Sequence, residues 1–102
     1  MTIAKFPKTL LVIVAEAAIE KKLVRDVRQL GAQGWTLTEV SGAGSGGVRE
    51  GAWEADRTIE LKVICEQPVA DAIAAHVLDA YAPHYSVAMY FSPVAVLRPE
   101  RF

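Results

Sequence analysis

The sequence predicts an α+β domain of the ferredoxin-like type, βαββαβ with an antiparallel sheet. Three observations carry that prediction. Four apolar stretches have β character, two segments carry an apolar stripe at helical spacing, and their order is β-α-β-β-α-β. At 102 residues the chain can build one core but not two, so a single domain over 1–102 is expected. Right-handed crossovers would place both helices on one face of the sheet.

Each element has its own signal. Thr9 to Ala15 (TLLVIVA) is a continuous β-rich run and reads as a central strand covered on both faces. Glu16 to Leu30 reads as a helix, because Ile19, Leu23, Val27 and Leu30 share one stripe while Glu20, Lys21, Arg25 and Arg28 fall elsewhere. Gly31 suits the left-handed position just past the helix end. Gly34 then opens a second strand, Trp35 to Val40, with Trp35 and Leu37 alternating against Thr36 and Thr38. Trp35 is expected in the core or at a subunit interface.

Ser41 to Asp56 holds five of the seven glycines, shows neither periodicity, and reads as a long loop. In the third strand, Arg57 to Cys65, Ile59, Leu61, Val63 and Cys65 take one face and Thr58, Glu60, Lys62 and Ile64 the other. One face therefore packs under helices while the other meets water or a partner chain. Pro68 fits a first helical turn, and Val69, Ile73, Val77 and Ala80 continue a helix to about Tyr81, which Pro83 ends. The fourth strand, Tyr85 to Phe91, is broken by Ser92-Pro93, and Val94 to Leu97 resumes extended structure before the tail Arg98 to Phe102.

Composition narrows the function. A net charge of −1 supplies no global field for nucleic acid or an anionic membrane, so neither partner is expected and any anion site must be local. Cys65 is the one cysteine and reads as a buried small hydrophobe. No stretch reaches the ~20 apolar residues that span a bilayer, and a cytoplasmic location is expected. His76 and His84 are isolated and Asp26 reads as one acid within a solvated basic patch on the first helix, so no metal site is expected. No nucleophile, base and orienting acid recur together, and catalysis is not expected.

The loop carries the functional signal. Gly42-Ala43-Gly44-Ser45-Gly46-Gly47 satisfies G-x-G-x-x-G but joins two strands, whereas a dinucleotide site needs the motif between a strand and a helix. Glycines allow successive backbone N–H groups to converge on an anion. Ser45 adds a hydroxyl, and Arg49 a fork that matches phosphate or carboxylate. A merely mobile linker is the other reading. Trp53, inside the loop, reads either as an anchor on a partner or as folded back on its own domain.

The segment Gly34-Trp35-Thr36-Leu37-Thr38-Glu39-Val40-Ser41-Gly42-Ala43-Gly44 resembles the second strand and T-loop base of PII signalling proteins. Its continuation through Gly44-Ser45 and Val48-Arg49 is more similar to the PII-like proteins of bacterial inorganic-carbon systems, the carboxysome-associated and bicarbonate-transporter-regulating branches. The resemblance implies a homotrimer with adenine nucleotide in clefts between subunits, a T-loop over about 42–56, and a tail over 98–102. It implies that Gly42, Ala43, Gly44 and Ser45 wrap phosphates, that Thr36 lies at the nucleoside end, and that Tyr85, Ser86 and Val87 line the adenine from the neighbouring subunit. Arg98 and Arg101 would grip phosphate, and Ser45, Gly46 and Arg49 would hold a second anion, bicarbonate. A bicarbonate transporter or a carboxysome component would be the partner, met through the T-loop.

Departures from the PII pattern refine these expectations. Ala82-Pro83-His84-Tyr85-Ser86-Val87 replaces a glycine- and lysine-bearing loop that holds outer phosphates, which favours AMP or ADP over ATP. Ser45-Gly46 stands where PII has a glutamine tied to 2-oxoglutarate. The tail Arg98-Pro99-Glu100-Arg101-Phe102 lacks the paired cysteines of many transporter regulators, which points to the carboxysome-associated branch. The rivals are a trimeric metal-tolerance protein of the CutA type, a ferredoxin-like RNA-binding or interaction module, and a small α+β-barrel enzyme.

Overall fold

The computed structural model describes residues 1–44, 47–49 and 57–102, with Gly42–Gly44 and Gly47–Arg49 described by their backbone. Its strands are β1 (Phe6–Glu16), β2 (Thr36–Val40), β3 (Gly42–Gly44), β4 (Gly47–Arg49), β5 (Thr58–Cys65) and β6 (Val87–Val96). Its α-helices are α1 (Glu20–Gln29) and α2 (Gln67–Ala80), with single 3₁₀ turns at Ala17–Ile19 and Pro99–Arg101. The main sheet has the order β2-β5-β1-β6 with antiparallel neighbours throughout. This is the predicted βαββαβ arrangement, with both helices packed on one face.

Strand register sorts the side chains. Leu11, Ile13 and Ala15 of β1 join Ile59, Leu61, Val63 and Cys65 of β5 beneath Ile19, Leu23 and Val27 of the α1 segment and Ala70, Ile73 and Val77 of α2. The predicted core face of β5 therefore holds, while on the other face Thr58 is 8% exposed rather than open to water. Burial also pushes the Cys65 thiol above its usual pKa, with Glu66 adding to the effect, so it stays an unreactive thiol.

Four expectations are corrected. The first helix starts late, because β1 stays in the ladder to Glu16, which pairs with Thr58, and Ala17 N–H donates to the Arg57 carbonyl at 2.8 Å. Strand β6 runs unbroken through Ser92-Pro93, with Pro93 opposite Thr9. The reason is its place at the sheet edge, where a residue without an N–H can be tolerated. The segment read as an aperiodic loop contains a hairpin, Gly42 opposite Arg49, Ala43 opposite Val48 and Gly44 opposite Gly47. A ladder uses only backbone groups, so a glycine-rich strand leaves no side-chain pattern to find. Strand β1 is covered by helices on one face rather than on both.

Helix α1 ends as its sequence predicts. Ala32 N–H donates to the Val27 carbonyl at 2.9 Å and Gly31 N–H to the Arg28 carbonyl at 3.2 Å, the paired bonds of a Schellman end. Gly31 has φ +117°, and a Cβ there would meet the Val69 methyls at 3.5 and 3.6 Å. Gly31→Ala is expected to destabilise the protein by about 1 kcal/mol, read as a fall in melting temperature.

Candidate functional site

Of the residues expected at the site, Thr36 lies on the sheet face opposite the helices. Register lays its side chains in rows across the strands. Thr36 faces Lys62, which faces Val12, which faces Tyr90. The row above is Thr38, Glu60, Val14 and Ala88, and the next begins Val40, Thr58 and Glu16. Val12 is 1% exposed even though neither helix covers it, while Tyr90 at the edge is 54% exposed. Among the described residues, no α-helix lies on this face.

After β6 the chain turns back, and its tail reaches the β5 and β2 side of that face. Glu100, Arg101 and Phe102 line a cleft of about 630 Å³ together with Leu10, Trp35 and Thr36. Gln33, Gly34, Lys62 and Ile64 complete it. The volume is that of a small-molecule site. Lys62 Nζ lies 3.3 Å from Glu60 Oε1, and Arg98 Nε lies 3.3 Å from Glu100 Oε1. Thr36 and Arg101, far apart in sequence, are thus brought together. Arg98 does not line the cleft and sits beside it on its ion pair with Glu100.

The remaining predicted residues lie elsewhere. Tyr85, Ser86 and Val87 are at the start of β6, where Val87 faces Ala15 and Ser86 N–H donates to Glu16 Oε2 at 2.6 Å. Tyr85 and Val87 also pack against the core. Gly42, Ala43 and Gly44 follow β2 at the same end of the sheet, and the hairpin sets Arg49 opposite Gly42. Ser45, Gly46 and Trp53 lie outside the described residues. Because β5 and β1 separate β2 from β6, three strand spacings, about 14 Å, divide the two groups. One chain therefore presents two partial sites on opposite sheet edges.

A polar cluster on the helical side was not legible as such. Asp26, expected to be solvated, is 6% exposed. Its Oδ1 accepts from Arg25 Nε at 2.9 Å, while its Oδ2 accepts from the Tyr81 hydroxyl and lies 2.8 Å from His76 Nε2. His76 is thus not isolated from an acid, and the two form a link between α1 and α2. Burial alone would raise the Asp26 pKa, but the hydrogen bonds from Tyr81, His76 and Arg25 outweigh it and hold the group below its ordinary value. Tyr81 is pushed up by burial and by the adjacent carboxylate. The missed signal was positional: Asp26 and His76 each stand three residues after a buried apolar residue, Leu23 and Ile73, within the inward stripe.

Fold, open sheet face and tail-lined cleft together define a ferredoxin-like domain with a cleft of small-molecule size at one side of its sheet. The chain belongs to the P-II family: the family model described as nitrogen regulatory protein P-II matches residues 8–101. Among solved structures, one from Thermus thermophilus described as a PII-like signalling protein is 40% identical. It aligns with a TM-score of 0.84 over 98% of this chain and 99% of that one. CPII of Thiomonas intermedia K12, a PII-like protein solved bound to ADP, AMP and bicarbonate, is 23% identical with a TM-score of 0.88. That alignment covers 99% of this chain and 98% of CPII and shows the shared fold. No curated protein matches the sequence. Among the described residues, no helix is long and apolar enough to cross a membrane.

Proposed function

We propose that this chain is a non-enzymatic PII-like sensor that works as a homotrimer and holds adenine nucleotide between its copies. AMP or ADP is preferred to ATP, and bicarbonate is the second anion, held by Ser45, Gly46 and Arg49. The observation that carries the reading is the split of the candidate ligand groups. Thr36 and Arg101 stand at one sheet edge and Tyr85 to Val87 at the other, too far apart to share one nucleotide within a chain. A neighbouring copy that brings its β6 edge to this cleft completes the site. The open sheet face, with Val12, Val14, Leu10 and Tyr90 bare of helices, supplies a surface for such neighbours.

Membership of the P-II family supports a regulatory role, and the ligands of the CPII structures support the nucleotide and bicarbonate. The same membership favours this reading over a metal-tolerance protein, an RNA-binding module or a barrel enzyme. Nucleotide contacts at Gly42 to Ser45 would select one arrangement of the 42–56 segment, and a partner in inorganic-carbon uptake or carboxysome function would recognise it. The protein would act in the cytoplasm or at the carboxysome.

Calorimetry with AMP, ADP, ATP and cyclic AMP, each with and without bicarbonate, tests the ligand. Heat is expected with AMP or ADP, weaker with ATP. Absence of heat with every nucleotide would overturn the proposal.

A further inference from the structure

We infer that the outer face of α1 carries a docking groove for an acidic peptide segment of a partner protein, with Lys21, Arg25 and Arg28 as its anion-binding residues. The inference is independent of the nucleotide reading, because the groove holds none of the residues expected at that site.

The groove encloses about 520 Å³ and is lined by Lys21, Val24, Arg25, Arg28 and Gln29. Three of these five are cations, and the chain as a whole has a net charge of −1, so the positive charge is local. Asp26, the acid within this run, is turned inward and is 6% exposed. The placement works against the helix itself. Lys21 and Arg25 stand four residues apart, and Arg25 and Arg28 three apart, spacings at which like charges repel. Lys21 also sits in the first turn of α1, where the helix dipole disfavours a cation. Among the described residues, neither Lys21 nor Arg28 has an acid within ion-pair distance. A solvated face is ordinarily laced with both signs, and this one is not.

Both guanidinium groups are positioned in advance. Arg25 Nε donates to Asp26 Oδ1 at 2.9 Å, and the Arg28 guanidinium lies 5.7 Å from the centroid of the Trp35 ring. A planar fork held in this way loses little freedom on taking up a carboxylate. Lys21 and Arg28 are separated by about 10 Å along the helix axis, roughly the reach of three residues of extended peptide. Val24 supplies a half-buried apolar floor between them, and the Gln29 amide can both donate to and accept from a peptide backbone. A nucleic acid would need a ring on which to stack its bases, and none lines the groove. A membrane would need apolar side chains to insert, and none of the large exposed apolar residues lies on α1. The proposed trimer covers the open sheet face, whereas α1 packs on the other face, so the groove stays open to a partner.

Trp53→Phe leaves Trp35 as the one tryptophan, and its emission reports on Arg28 stacked against it. In that background acetylated tetraglutamate, added without nucleotide, is expected to change the emission saturably and to give heat in calorimetry. Its apparent Kd should rise several-fold when salt is raised from about 50 to about 500 mM. Lys21→Glu is expected to weaken binding by at least about fivefold. It leaves the fold intact, because it places an acid in the first helical turn. Lys5→Glu changes the net charge equally at an exposed position outside the groove, and is expected to weaken binding by less than about twofold. The inference is overturned if tetraglutamate gives neither emission change nor heat, or if Lys21→Glu and Lys5→Glu bind it alike. It is also overturned if oligothymidylate or phosphatidylserine vesicles bind more tightly than tetraglutamate and lose that binding in Lys21→Glu.

Discussion

Asp26→Ala is expected to destabilise the fold by about 2–3 kcal/mol, because it strips the acceptor from a buried hydroxyl and from the histidine between the helices. The Tyr81 ring is 7% exposed and part of the core, so its hydroxyl has little access to water once Asp26 is gone. His76 is better placed, with a side chain 38% exposed, which keeps the loss below that of a fully buried ion pair. For a domain of this length the change corresponds to a fall in melting temperature of roughly 10–20 °C. The same residue sets part of the acid limb of stability. Its folded pKa is depressed, so its stabilisation is complete above the ordinary carboxylate range and is lost as pH falls through the folded value. Asp26→Asn keeps the shape and one acceptor but has no proton to take up. The stability gap between the native protein and Asp26→Asn should therefore be full near pH 7 and narrow below about pH 4. Chemical denaturation across that range measures it, and a gap that does not change with pH would contradict the assignment.

Tyr90→Asp is expected to convert the proposed trimer to monomers and to abolish nucleotide binding while leaving the monomer folded. Tyr90 is 54% exposed on the open sheet face, level with Val12, Lys62 and Thr36. In the monomer a carboxylate at this edge remains in water and changes stability little. In an assembly that covers the face, three such carboxylates would be taken out of water where three tyrosine rings had packed, a penalty of several kcal/mol each. Sedimentation velocity reads the assembly, circular dichroism the fold, and calorimetry the ligand. A variant that stays trimeric would show that the open face is not the contact.

Much of this architecture was legible because it is written in side-chain periodicity. The alternation of Ile59, Leu61, Val63 and Cys65 against Glu60 and Lys62 predicted which face lies beneath the helices, and burial follows it. Gly31 predicted a left-handed helix end, and the Schellman bonds are there. What periodicity does not encode was missed. The Gly42–Arg49 hairpin is held by backbone groups, and the continuity of β6 through Pro93 depends on the strand being at an edge, which is a property of topology. The Asp26–His76 link joins residues fifty positions apart, and neither helix alone shows it. Of the residues expected at the site, Thr36 and Arg101 line the cleft and Gly42 to Gly44 do not, and the cleft itself depends on the tail folding back to Leu10 and Ile64, a contact no local pattern announces.

The central claim, a nucleotide site shared between copies, is tested most directly by mixing two defective chains. Arg101→Ala damages the cleft at the β2 edge, and Ser86→Glu places a bulky anion at the β6 edge, so each alone should fail to bind ADP. Unfolding the two together and refolding them at equal amounts should restore about one quarter of the sites, those where an intact cleft of one chain meets an intact β6 edge of another. ADP binding to the mixture, measured per chain by calorimetry, reads that fraction. Recovery near a quarter supports the shared site, and no recovery in mixed trimers would contradict it.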